Sequence, residues 1–189
     1  ATRAPFNEAK GRVRGSRRVH NNTLRDLLEI AHAMLDGELE YRRGHHELAF
    51  AHLRRSVELD DALPYDEPWG WLQPTRHALG ALLLEQRRVA GGAGGYPRPR
   101  LQLGALALER VRDAEAEAVY RSDLGLDGKL SRACQHPDNL WSLHGLHECL
   151  TRRGETVEAG LIKQRLDLAL ARSEVPVKTS CFCRVKVAA

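Results

Sequence analysis

The sequence predicts an all-α fold assembled from repeated helical hairpins, and three observations carry that expectation. Aromatic residues make up only 5% of the 189 positions, and Leu and Ala supply most of the apolar surface; both favour helices over strands. The chain repeats itself at a fixed interval, which is the mark of a helical or solenoid array. Glycines also break the apolar periodicity at corresponding places, Gly44 and Gly154, where a residue free to take positive φ ends a helix.

The repeat is read from named positions. Gly37 lies 43 residues before Gly80, and Ala116 lies 43 before Ala159. Ala49 lies 67 before Ala116, and Leu53 lies 67 before Tyr120. The linkers VELDDAL (57–63) and LGLDGKL (124–130) keep the 67-residue register, as do His77 with His144 and Leu79 with Leu146. One period of 43, with 24 extra residues inside the second unit, accounts for both shifts.

Residues 1–22 read as a basic, disordered arm. Its first 20 positions hold Arg3, Lys10, Arg12, Arg14, Arg17 and Arg18 against the single acid Glu8, and the rest of the +4 chain is close to neutral. A nucleic-acid binder carries charge on a folded face as well, so a nucleic-acid adaptor acting through the arm is only an alternative, one that requires steep salt dependence. Residues 23–172 hold three hairpins. In the first, 24–60, Leu24, Leu27, Leu28, Ala31, Met34 and Leu35 form an apolar stripe at helical spacing. After the Arg43-Gly44 break, a second helix is expected to bury Leu48, Ala49, Leu53 and Val57. Gly37 and Ala49 are small so that the two helices can approach closely; bulk there would overpack the contact.

The linker PYDEPWGWLQP (64–74) follows. Pro68 and Pro74 impose extended geometry or a helix start, and Trp69 and Trp71 are expected to lock the linker onto neighbouring helices. The second hairpin, 72–126, is divided by an insertion at 90–113. This opens with AGGAGGYPRPR, which cannot continue a helix, and goes on with the helix-compatible LQLGALALERVRD. It reads as a tolerated surface loop, or as a translated intron that sequencing the transcript would reveal. The third hairpin, 138–172, precedes a tail at 173–189.

The chemistry-bearing motifs are sparse. His144-Gly-Leu-His147-Glu148 lacks the HExxH order of a zincin, and His147 falls in the close-packing slot of Gly37 and Gly80. Two local imidazoles fall short of the three or four ligands that zinc needs. A Cys/His metal-binding or redox-sensing module that adds Cys181 and Cys183 is an alternative, against a plain reading of two free thiols on a flexible tail. No metal or cofactor is assigned. The GGAGG run lacks the flanking strand of a phosphate loop, and nothing points to catalysis. Four cysteines (Cys134, Cys149, Cys181, Cys183) are too few to build the fold on disulfides, so a reducing, cytoplasmic setting is expected. No apolar run approaches the ~18 residues of a membrane span.

A small residue, a second twelve positions on and a bulky apolar residue four later is a spacing that resembles the tetratricopeptide family across about residues 24–172. The family period is about 34, and the nine extra residues here fall in long linkers. HEAT repeats share a period near 43, but the small-residue spacing argues against them. The resemblance implies an alpha-alpha superhelix whose first helices line a concave groove, and a non-catalytic scaffold that binds a protein or peptide partner. By register it points to Glu38, Tyr41 and Arg42 in the first repeat, His77 and Glu85 in the second, and Trp141, His144, Glu148 and Arg152 in the third. Such a wall suits a polar or charged peptide. More narrowly, LPYDEPWGWLQPTRHALGALLLEQ, HPDNLWSLHGLHECL and SCFC resemble a set of fungal and bacterial tetratricopeptide-domain proteins that are longer on the N-terminal side. The chain is then expected to be a C-terminal portion. Its bare N-terminal repeat face would favour self-association.

Overall fold

The computed structural model describes residues 3–90 and 103–184, which are mostly helical and divide into two compact units, Ala1–Thr75 and Arg76–Ala189. The segment 91–102 of the expected insertion lies outside the described residues. No helix among those described is long and apolar enough to cross a membrane.

In the first unit the arm expectation is corrected. Residues Arg3–Gly11 form a helix, α1, that packs on α2 (Leu24–Arg42). Arg3 pairs with Asp36 at 2.5 Å, Lys10 with Glu29 at 2.6 Å, and Phe6 packs against the His32 ring. The basic residues are therefore partly spent on acids of α2. The same contacts lay α1 on part of the α2 surface. A short antiparallel pair, β1 (Arg18–Val19) with β2 (Asn22–Thr23), leads into α2.

Thr23 caps α2: its Oγ1 accepts from the Asp26 backbone N–H at 3.1 Å, satisfying an otherwise orphan donor. At the other end Gly44 takes φ +84°, and His45 N donates to Glu40 O at 3.0 Å. That turn reverses the chain into α3 (His46–Asp61). A Cβ on Gly37 would fall 2.7 Å from Leu53 Cγ, so this glycine lets α2 and α3 close on each other. The expected stripe is rotated: Leu27, Ile30, Ala33 and Tyr41 are the buried apolar residues of α2, and Phe50 rather than Leu48 enters the core from α3. Leu48 is exposed.

Asparagines pin the linker. Asn22, fully buried, donates from Nδ2 to Asp66 Oδ2 at 3.1 Å and to Pro64 O at 3.2 Å, while Asn21 Nδ2 donates to Tyr65 O. Gly70 lies against the Asn22 amide so closely that a Cβ would sit 2.6 Å from Nδ2. Trp69 is exposed and Trp71 half-buried.

The second unit contains α4 (Thr75–Ala90), α5 (Leu103–Asp123), α6 (Leu140–Arg153) and α7 (Thr156–Ala171). Tyr120 of α5 is fully buried between two glycines. A Cβ on Gly80 of α4 would lie 2.6 Å from its Cζ, and one on Gly145 of α6 would overlap the same ring. Gly145, not the slot at His147, is thus the close approach made by α6; His147 is half-buried. Asn139 caps α6 by accepting from Trp141 N and Ser142 N, and Gly154, at φ +78°, turns the chain into α7. Arg121 forks onto Glu158 at 2.8 and 2.7 Å, tying α5 to α7.

Candidate functional site

The groove residues named from the sequence divide by burial. In the first unit Glu38 is half-buried, with its carboxyl raised by burial against the pull of Arg42. Arg42 is exposed and stands 5.4 Å from the Tyr41 ring centroid. Tyr41 itself is a core residue, only 5% exposed and edge-on to Phe50 at 6.0 Å. Its place one position before Arg42 turns it toward α3, so its ring is not open to a ligand.

His77 is likewise withdrawn, at 1% exposed. Its Nε2 donates to Asp123 Oδ2 at 3.1 Å. The same carboxylate accepts from His136 Nδ1 at 2.8 Å and from Ser142 Oγ at 2.5 Å. Burial alone would push the Asp123 carboxyl up, but the His136, His77 and Ser142 hydrogen bonds and the attraction of His77 hold it well below the usual carboxylate range. Asp, His and Ser together invite a hydrolase reading. The wiring argues otherwise, because the serine proton goes to the carboxylate and all three side chains are buried. What the cluster does is join α4, the end of α5, the 124–139 connection and α6. Sequence reasoning missed Asp123. One signal was available: a carboxylate on the last position of a helix opposes the macrodipole, so it requires donors nearby.

Glu85, Trp141, His144, Glu148 and Arg152 are all half-buried in the second unit. Arg152 pairs with Glu148 and donates from Nη1 to Leu84 O at 3.1 Å, bracing α6 against α4. Burial lowers the His144 pKa against the opposing effect of Glu148, and its Nδ1 is buried without a hydrogen-bond partner.

This surface is covered by the chain's own continuation. The tail is not free: residues 173–184 return as an irregular strap ending in a short 3-10 turn, Phe182–Arg184. Ser180 Oγ accepts from the buried Tyr120 hydroxyl at 2.8 Å. Phe182 meets Trp141 edge-on at 4.8 Å between centroids. Arg184 donates from Nη1 to Glu148 Oε2 at 2.7 Å and from Nη2 to Oε1 at 3.1 Å. Burial raises the Glu148 carboxyl, but the Arg184 hydrogen bonds and the Arg184 and Arg152 charges leave it below its ordinary value.

The cysteines depart from the expectation of two free thiols, since Cys181 and Cys183 are joined in a disulfide. Among the described residues no group of three His, Cys, Asp or Glu side chains is placed to hold a metal ion. His144 and His147 therefore do not converge with the two cysteines on one ion. Cys149 is buried on α6, and burial raises its thiol well above the ordinary value, which disfavours the reactive thiolate.

The chain matches no protein-family model, no curated protein and no solved structure.

Proposed function

We propose that this chain is a non-catalytic scaffold of the tetratricopeptide kind that binds a peptide segment of a partner protein, each unit offering the first helix of its own hairpins. One observation carries the reading. The surface of α5 and α6 accommodates a stretch of irregular polypeptide, and does so through an aromatic pair, a forked ion pair and a hydroxyl contact rather than through apolar burial alone. These are the contact types expected of a groove that reads polar, charged segments. In the first unit Glu38 and Arg42 offer a carboxylate and a guanidinium on one turn of α2.

The test is selection of random twelve-residue peptides against the folded full chain, followed by titration of the winners. Binding that weakens at least tenfold in Glu38→Ala, Arg42→Ala or Glu148→Gln supports the scaffold. Failure to enrich any peptide, or winners indifferent to all three substitutions, overturns it.

A thiol redox sensor is the second reading, and the Cys181–Cys183 bond favours it. A dithiol reductant would convert the disulfide to two thiols while closing its own ring. Mass mapping that finds these cysteines alkylated without any reductant would remove that reading.

A further inference from the structure

We propose that the strap Ser180–Arg184 is an internal ligand, held where a partner's segment of the same chemistry binds: a hydroxyl residue, an aromatic and an arginine at alternate positions. The inference rests on the scaffold reading and specifies its partner.

Three side chains of the strap, two residues apart, each meet a different group of the surface. Ser180 meets Tyr120, Phe182 meets Trp141 and Arg184 meets Glu148. Arg184 is also within electrostatic reach of Glu85, and its side chain is 5% exposed. The recognition is thus directional, since a planar guanidinium forked onto a carboxylate fixes both position and orientation. A lysine at that place would not reproduce it.

Two of these contacts, those of Phe182 and Arg184, can be exchanged, whereas Ser180 and Cys181 are buried. Phe182 is 58% exposed although it meets Trp141, so its ring is clasped from one side only. Glu148 keeps Arg152 when Arg184 leaves, so departure of the strap does not strand a buried carboxylate. Residues 174–181 lie outside any helix or strand, and side chains rather than a backbone ladder hold them in place. A tethered ligand competes at an effective concentration in the millimolar range. A partner segment must therefore outbid the strap, and weakening the strap must raise the affinity for any mimic.

The probe is a fluorescent peptide with the sequence of residues 177–184 and serine in place of both cysteines, titrated by anisotropy into three full-length proteins. These are the wild type, Phe182→Ala/Arg184→Ala, and that double variant with Glu148→Gln added. The double variant should bind the peptide at least tenfold more tightly than the wild type, and Glu148→Gln should remove that gain. Equal binding to the first two proteins, or no binding to a double variant whose far-UV circular dichroism matches the wild type, overturns the inference. A second measurement guards against a variant that fails to fold. Excess peptide added to the wild type should speed hydrogen exchange across 177–184, and unchanged exchange at millimolar peptide overturns the inference equally. If the strap peptide fails while library-selected peptides of other sequence still depend on Glu38 or Glu148, the scaffold stands and only the internal-ligand inference falls.

Discussion

Replacing Gly145 by alanine tests the packing of the second unit most directly. In an exposed helix interior this exchange is favourable by about 0.5–1 kcal/mol, because glycine loses more backbone entropy on folding. At Gly145 the new methyl would overlap the Tyr120 ring. The ring has little room to swing aside, since Gly80 also lies so close that a Cβ there would sit 2.6 Å from its Cζ, and the hydroxyl is bonded to Ser180. The helices must part instead, an overpacking cost of ~1–3 kcal/mol. The net expectation is a loss of up to about 2.5 kcal/mol once the helix-propensity gain is subtracted. Gly160 of α7 supplies the control, for a Cβ there meets nothing within 4 Å. Gly160→Ala should stabilise by ~0.5–1 kcal/mol. Urea unfolding followed by circular dichroism reads both as shifts in midpoint at unchanged slope. In a Tyr120→Leu background Gly145→Ala should cease to destabilise, giving a coupling above about 0.5 kcal/mol. If Gly145→Ala stabilises the wild type as much as Gly160→Ala does, the account of Tyr120 as a wedge between two glycines is refuted.

Asp123→Asn should destabilise the second unit by ~3–5 kcal/mol, the usual cost of breaking a buried charged cluster. Because the folded carboxyl lies below its unfolded value near 3.9, its contribution is fully present above that pH and is lost as pH falls toward the folded pKa. The wild type should therefore lose more stability than Asp123→Asn between about pH 5 and 3 in urea melts, and parallel curves would contradict this. Gly44→Ala and Gly154→Ala should each cost ~1–2 kcal/mol, and by similar amounts: both hold positive φ and neither Cβ meets a neighbour. A thermal melt unmoved by either would remove the left-handed turn from the account. Asn22→Ala strips Asp66 and Pro64 O of a buried donor, at a cost of ~1–3 kcal/mol. Faster proteolysis within 64–74 is the expected readout, and an unchanged cleavage rate would show that the asparagine does not pin the linker.

The sequence by itself determined the local grammar of this protein. Helical character followed from Leu and Ala, and the turns at Gly44 and Gly154 followed from glycine's access to positive φ. The small residues Gly37 and Gly80 marked places where a neighbouring helix comes within van der Waals contact. These features are legible because their cause lies within one helix turn or one repeat. On α3 Phe50 lies inside, three residues before Leu53 and so on the same face, while Leu48, about 200° round the helix from Phe50, lies outside; here the spacing was legible and the expectation of Leu48 misread it. Only the tertiary structure decided the rest. The helix at Arg3–Gly11 pairs with acids on α2 that stand far along the chain, Lys10 with Glu29 and Arg3 with Asp36. His77 lay in register with His144, yet one is sealed against Asp123 and the other borders the strap. That difference comes from a carboxylate 46 positions along the chain. Trp141 and Glu148 were nameable from the register, but their occupant, a strap returning from beyond α7, was not. Pairings of this kind are set by which surfaces meet when helices pack, and single-residue spacing carries no record of them.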